Sequence, residues 1–223
     1  SMEHGARQRG GSGYLSWLRS LPWDRPAFTA CALAGLLFAA GGFSGMVNAG
    51  MNLNYVVHNT LWVPGHFHLT VGTAAALTFM GISYWLLPQL TGKKLRGRAL
   101  AIIQPYLWFL GMTVLSNAMH RGGLMGLPRR TAEPEWNLVE GDFASGVGAL
   151  SEVQLQIAVG GVLLFTGVVL FLLVMLLTWT GRQAPSIGVD RTIPPALSGP
   201  ENSPRILDNY RLWFGIAVVL VVI

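Results

Sequence analysis

Two histidines separated by one residue lie in a stretch of chain that carries no charge. The sequence HNTLWVPGHFHL covers residues 58–69, within residues 26–92, which contain no Asp, Glu, Lys or Arg. Ionisable groups in so apolar a setting are costly, so they are usually functional. His66 and His68 are therefore candidate metal ligands. The alternative is that both are neutral imidazoles hydrogen-bonded to neighbouring helices.

The spacing of the two histidines indicates two separate metal centres. Helical residues advance by about 100° each, so His66 and His68 point about 200° apart and cannot bind one metal from a regular helix. An isolated strand, which would place them on one face, cannot span lipid. Haem iron is the metal that best suits imidazole in a setting without acidic ligands. The pattern predicts one haem on each side of the helix, with Phe67 between them.

A haem brings two propionates, which need cationic or hydrogen-bonding partners. Arg129 and Arg130 follow Gly-Leu-Pro, and arginine binds carboxylates bidentately. The alternative is that both are solvated loop charges. His58 and Asn54 lie just before the histidine pair and are further candidate propionate partners. The alternative is helix capping and turn formation, which Asn54 and Asn59 could each supply.

The composition indicates a membrane protein. Of 223 residues, 52% are hydrophobic and 11% are charged, whereas soluble domains average about 25% charged. This balance argues against a soluble enzyme, a disordered chain and a nucleic-acid-binding domain. The single cysteine allows no internal disulfide, and no Cys-x-x-Cys-His attaches a haem covalently.

Uncharged runs predict an all-α, polytopic membrane helical bundle that forms a single domain over 1–223. A helix-poor patch from Asn48 to Asn54 predicts a turn between the first two spans, and a loop with the arginine pair is expected over 121–152. A final apolar run is too short to cross about 30 Å of hydrocarbon, so we expect four complete spans, a truncated fifth and a piece of a longer or split protein. The predicted spans are 27–48, 60–87, 99–120, 153–181 and 209–223.

The basic residues predict that the N-terminal segment, 1–25, is cytoplasmic. With that orientation, twelve of the 15 Lys and Arg residues lie on the cytoplasmic side, and three lie outside: Arg121, Arg129 and Arg130. Positive charge concentrates on cytoplasmic loops. The histidine pair and the arginine pair then lie on the same, outer side of the membrane.

The stretch HNTLWVPGHFHL resembles helix ten of the large catalytic subunit of haem–copper oxygen reductases. GISYWLLPQLTGK and GLMGLPRR also resemble that subunit, and Val-Pro-Gly before His-Phe-His is similar to its B-family. The resemblance extends over essentially the whole chain, as the last helices of subunit I. His-x-His alone is a weak signal, but with these flanks and the Arg-Arg loop the combination is highly specific.

The resemblance implies a role for each matching residue. His66 matches the axial ligand of the high-spin haem, where oxygen binds, and His68 an axial ligand of the low-spin haem, with Phe67 between the two. Three of the candidate propionate partners also match residues of the family: Arg129, Arg130 and His58. Asn54 departs from the B-family pattern, which has aspartate there, so a proton-loading role at this position is in doubt.

The resemblance also implies what other parts of the enzyme supply. The family's copper-ligating histidines lie upstream, so we expect no copper site and no complete catalytic site in this chain, which alone is inactive. The expected partners are an N-terminal half of subunit I, the electron-delivering subunit II, cytochrome c or a similar donor, and the lipid bilayer. With them it forms a cytochrome c oxidase in a prokaryotic cell membrane that reduces oxygen and translocates protons. Alternatives are a nitric oxide reductase-like enzyme and a cofactor-free membrane scaffold.

Overall fold

The chain is almost entirely helical where its structure is described. The computed structural model describes residues 2–129, 147–182, 206 and 209–222. Within these residues there is no β-strand, and an isolated antiparallel bridge pairs Thr60 with Pro128. The predicted all-α class is confirmed. The helices are α1 (Met2–Gln8), α2 (Pro26–Ala49), α3 (Met51–Val57), α4 (Trp62–Phe67), a π-helical segment (His68–Ala75), α5 (Ala76–Thr91), α6 (Arg98–Leu124), α7 (Val147–Trp179) and α8 (Tyr210–Val222), with a short 3-10 helix at Ser16–Ser20.

In the described part of the chain, four helical stretches are long and apolar enough to cross a membrane: Pro26–Ala49, Trp62–Thr91, Arg98–Leu124 and Glu152–Trp179. The shortest has 24 residues, which at about 1.5 Å per residue exceeds the hydrocarbon thickness of about 30 Å. Each corresponds to one predicted span, with limits that differ by a few residues. The second stretch is formed by α4, the π-helical segment and α5 without interruption.

The chain divides into two compact units, 1–187 and 188–223. The second unit contains α8, whose 13 residues cover about 20 Å, less than a bilayer's hydrocarbon core. The amide oxygen of Asn209 accepts the backbone N–H of Leu212 at 3.2 Å, which caps the first turn of α8.

The structure differs from the sequence expectation at two connections. The Asn48–Asn54 patch is helical except at Gly50, where the backbone is extended between α2 and α3. Three asparagines in seven residues suggested a turn, but tertiary packing overrides so weak a propensity. The predicted 121–152 loop is also shorter, because α6 continues to Leu124 and α7 begins at Val147.

The core of the first unit lies between α2, the π-helical segment, α5, α6 and α7. Small residues allow close approach: a methyl group on Gly81 would lie 2.9 Å from Ala30 Cβ, and one on Gly160 would lie 2.6 Å from Leu115 Cβ. Membrane helices commonly pack through such residues, since lipid provides no hydrophobic drive for their association. The buried cluster consists of Ala30, Leu33, Ala34, Leu37, Leu77, Trp108 and Met112.

A buried polar pair links α5 to α6. The Tyr84 hydroxyl donates to Gln104 Oε1 at 2.9 Å, and the Gln104 amide lies 3.2 Å from Met80 Sδ. Tyr84 and Gln104 are both buried. Polar groups buried among apolar helices need partners, so this pair favours one register of α5 against α6.

Candidate functional site

The candidate site is built on the continuous helix that runs from Trp62 to Thr91. Pro64 lies in the first turn of α4, where a missing N–H costs no hydrogen bond. After Phe67 the helix widens into the π-helical segment, His68–Ala75. There the Thr73 hydroxyl donates to the carbonyl of His68, five residues back, at 2.9 Å. π-Helical turns are rare and occur frequently at functional sites.

The His66 imidazole lies against α2. Its Nδ1 is 2.9 Å from the hydroxyl of Ser44 and 3.1 Å from the carbonyl oxygen of Gly41. The neighbouring Gly45 leaves room for the ring, because a methyl group there would lie 3.2 Å from His66 Cε1. Three small residues on one face of α2 therefore accommodate and hold this imidazole.

The His68 imidazole forms its hydrogen bond within its own helix. Its Nδ1 lies 2.6 Å from the carbonyl oxygen of Pro64. The two rings thus have different partners, since one is held by α2 and the other by the backbone four residues back. His66 is in α4 and His68 follows after one residue, so the rings leave the axis about 200° apart.

Both histidines have the hydrogen-bonding pattern of a metal ligand. In each ring Nδ1 faces a backbone carbonyl, and within the described residues Nε2 of neither ring forms a hydrogen bond. A ligating histidine commonly donates one ring N–H to a carbonyl, which fixes the tautomer and leaves the other nitrogen for the metal. The two rings therefore fit axial coordination of two haem irons through Nε2.

Phe67 lies between the two histidines, and its side chain is half-exposed. It is 51% exposed, and its ring centroid lies 5.5 Å from that of His66 at an interplanar angle of 45°. An apolar ring at this position offers contact surface to flat groups on either side of the helix.

Arg129 lies beside the beginning of the histidine-bearing helix. The Leu61 N–H donates to the carbonyl of Leu127 at 2.8 Å, and the Arg129 N–H donates to the carbonyl of Asn59 at 2.9 Å. The Arg129 guanidinium also donates to Asn59 Oδ1 at 3.1 Å. The Arg129 guanidinium is thus bound to the residue that directly follows His58 in the sequence. Arg130 lies outside the described residues.

His58 and Asn54 occur on the same approach to α4. His58 follows the last residue of α3 and is exposed, while Asn54 lies within α3 and is half-buried. Neither side chain forms a hydrogen bond within the described residues. Both side chains are therefore available to bind an additional group. Asn54 is not a helix cap, which was the alternative, because it lies inside α3.

A third histidine repeats the pattern in a closed environment. His120 Nδ1 lies 2.7 Å from the carbonyl oxygen of Ser116, and its Nε2 is buried without a hydrogen-bond partner. Its ring packs edge-on against Trp62, with centroids 4.4 Å apart, and a methyl group on Gly65 would lie 3.0 Å from its Nδ1. So close a protein packing leaves no space for a porphyrin at His120.

Several residues at the site were not predicted from the sequence. Ser44 and Gly41 contact the ring of His66, Asn59 holds Arg129, and the buried Ser116 hydroxyl donates to the Gly65 carbonyl at 2.7 Å. Small residues in apolar helices carry no distinguishing pattern. The one available signal was Asn59, since asparagine tolerates the positive φ of 58° found there. In the described part of the chain no group of three or more His, Cys, Asp or Glu side chains could hold a metal ion.

The chain is similar to proteins of one known family. Residues 11–163 match the family model described as cytochrome c and quinol oxidase polypeptide I. The whole chain is 40% identical to a cytochrome c oxidase subunit 1 of Thermus thermophilus, and covers 40% of its length. A second protein of that name from Thermus thermophilus is 53% identical over 108 residues, which are 48% of this chain and all of the relative.

A solved structure has a similar fold. It is a cryo-EM structure of a heme-copper terminal oxidase dimer, with a TM-score of 0.68 and 29% sequence identity over 98% of this chain and 38% of the solved chain. The chain therefore spans about two fifths of the length of two of these relatives. The family model covers well over half of the chain, so the chain belongs to the cytochrome c and quinol oxidase polypeptide I family.

Proposed function

We propose that this chain is the haem-binding C-terminal part of subunit I of a respiratory cytochrome c oxidase. His66 is the axial ligand of a high-spin haem, and His68 is an axial ligand of a low-spin haem. The observation that supports this is the pair of imidazoles, two residues apart, whose Nδ1 atoms face carbonyls and whose Nε2 atoms have no hydrogen bond among the described residues. When bound, the haems would supply electron transfer and the binding of oxygen.

The residues of this chain orient the two ligands rigidly. The Gly41 carbonyl and the Ser44 hydroxyl hold the His66 ring, and the Pro64 carbonyl holds the His68 ring. Each of the two carbonyl contacts requires Nδ1 to carry a hydrogen, which leaves the Nε2 lone pair for iron and raises the basicity of the imidazole. Phe67 fills the space between the two centres and excludes water there.

The charged end of the site binds the haem propionates. Arg129 is positioned by Asn59, and guanidinium groups bind carboxylates through paired hydrogen bonds. Arg130, His58 and Asn54 complete this group in the proposal. Because Asn54 is an amide, it donates or accepts hydrogen bonds but holds no exchangeable charge, so proton uptake at the propionates does not pass through an ionised group at this position.

The proposal includes the rest of the enzyme. An N-terminal half of subunit I supplies the copper ligands, subunit II supplies electrons from cytochrome c or a similar donor, and the complete complex couples oxygen reduction to proton translocation in a prokaryotic cell membrane. Within it the N-terminal segment of this chain is cytoplasmic, as the distribution of Lys and Arg predicts. The B-family assignment follows from the Val-Pro-Gly sequence before His66. Relatives named cytochrome c oxidase subunit 1 favour oxygen over nitric oxide as the substrate.

Visible absorption spectroscopy of the purified complete complex tests the haem assignment. The expected spectrum has a low-spin and a high-spin component. His68→Ala removes the low-spin signal, and His66→Ala removes the component that binds carbon monoxide. His120→Ala is the matched control, because the His120 ring has the same Nδ1–carbonyl contact but no space for a haem. We expect this variant to retain both signals. A colourless complex would favour the scaffold alternative. Equal loss of both signals in all three variants would contradict the assignment of His66 and His68 as the two ligands.

A further inference from the structure

A buried hydroxyl lies directly behind the His66 ring. Ser44 is on α2, is 8% exposed, and places Oγ 2.9 Å from His66 Nδ1. The same Oγ lies 2.8 Å from the Gly41 carbonyl oxygen, which itself lies 3.1 Å from His66 Nδ1. The three groups therefore form a closed triangle of hydrogen-bonding atoms.

The hydrogen atoms available determine which group donates. A serine hydroxyl has one hydrogen and two lone pairs, and a carbonyl oxygen only accepts. The Ser44 hydroxyl donates to the Gly41 carbonyl, so its lone pairs face His66 Nδ1. When iron occupies Nε2, Nδ1 carries a hydrogen, which is then shared between Ser44 Oγ and the Gly41 oxygen.

We propose that Ser44 is a positioning residue that fixes the plane of the His66 imidazole and strengthens its donation to the haem iron. The inference rests on the proposed function, since it assumes that His66 ligates iron. A second acceptor on Nδ1–H draws that hydrogen away from the ring and makes Nε2 a stronger donor. Hydrogen bonding around an axial ligand is one of the means by which a protein sets the properties of haem iron.

The low-spin ligand provides an internal comparison. His68 Nδ1 has the Pro64 carbonyl as its partner and no hydroxyl among the described residues. Removing the Ser44 hydroxyl should therefore alter the high-spin haem and leave the low-spin haem unchanged. The two haems have separate spectral features that are measured in one sample. A general loss of structure would change both features, whereas a local effect at His66 changes only that of the high-spin haem.

The experiment measures the iron–histidine stretching frequency of the reduced high-spin haem by resonance Raman, and both haem midpoint potentials by redox titration, in the purified complete complex. Ser44→Ala lowers the stretching frequency and raises the midpoint potential of the high-spin haem only, because weaker donation stabilises ferric iron less. Ser44→Thr, which retains a hydroxyl, restores both values toward those of the unmodified complex.

Ser116→Ala is the matched control for loss of a buried serine hydroxyl. Ser116 is also buried and donates to the Gly65 carbonyl beside His66, but it does not contact the His66 ring. We expect no change in the iron–histidine frequency. An unchanged or higher frequency in Ser44→Ala, or an equal shift in Ser116→Ala, overturns the inference. A complex without any high-spin haem refutes the proposed function instead.

Discussion

A close approach of α2 to the histidine-bearing helix predicts a large difference in stability between alanine variants of two adjacent glycines. A methyl group on Gly41 would lie 2.6 Å from Thr70 Cγ2 and 3.2 Å from the Thr70 backbone nitrogen, whereas one on Gly42 meets nothing within 4 Å. Carbon atoms prefer about 3.5–4.0 Å, so Gly41→Ala requires the helices to separate by about 1 Å. Gly42→Ala requires no movement.

The free energies follow from this geometry. Overpacking of this kind typically costs about 1–3 kcal/mol, and replacing a helical glycine by alanine returns up to about 1 kcal/mol. Gly41→Ala is therefore expected to be about 1–3 kcal/mol less stable than Gly42→Ala. The Gly41 carbonyl lies 3.1 Å from His66 Nδ1, and a separation of about 1 Å takes this contact beyond hydrogen-bonding range.

The assay compares the two alanine variants in the purified complete complex. Thermal midpoints, followed by loss of haem absorption, give the stability difference, and carbon monoxide binding gives the content of high-spin haem. Gly41→Ala should lower both values, while Gly42→Ala matches or exceeds the unmodified complex in stability. Equal behaviour of the two variants would refute the proposed packing of α2 against the π-helical segment.

Three further predictions concern stability and are measured as thermal midpoints of the complex. Tyr84→Phe leaves the buried amide oxygen of Gln104 without its donor and costs about 1 kcal/mol. Ser83→Ala removes an exposed hydroxyl that is bonded within its own helix and should cost less. Equal costs would contradict a stabilising role for the buried pair. Gly160→Ala forces α7 from α6, since the added methyl lies 2.6 Å from a leucine Cβ, while Gly161→Ala faces open space and is the neutral control. Asn59→Ala should be less stable than Asn59→Gly by about 1 kcal/mol. Of the two substituted residues, glycine adopts the φ of 58° at this position without strain and alanine does not. The reverse order of stability would show that the backbone there is not left-handed.

The sequence identified the elements of the site and its candidate ligands. Charge-free runs, one of them long enough for two spans, predicted the four long helices, because a chain segment without charges long enough to cross a bilayer is rare outside membranes. His66 and His68 were recognisable because histidines in such a run are unusual. The bounds of the long helices needed correction by only a few residues, and at Asn48–Asn54 the expected turn is reduced to a single extended residue.

The partners of these ligands could not be read from the sequence. Ser44 is 22 residues from His66 and is one of many small residues in an apolar helix. Its significance depends on the angle at which α2 crosses the π-helical segment, and no local pattern encodes that angle. Asn59 and Arg129 are 70 residues apart and meet because the segments around Thr60 and Pro128 pair in antiparallel fashion.

The sequence by itself determined which residues could ligate iron and that they point away from each other, because the helical repeat fixes direction within one element. The tertiary structure decided which ring nitrogen is available, since that depends on which carbonyl or hydroxyl of another segment lies within hydrogen-bonding distance. It also distinguished His120 from the two candidate ligands. All three histidines lie in apolar helices, but only at His120 does the packing of neighbouring side chains close the space that a haem would need.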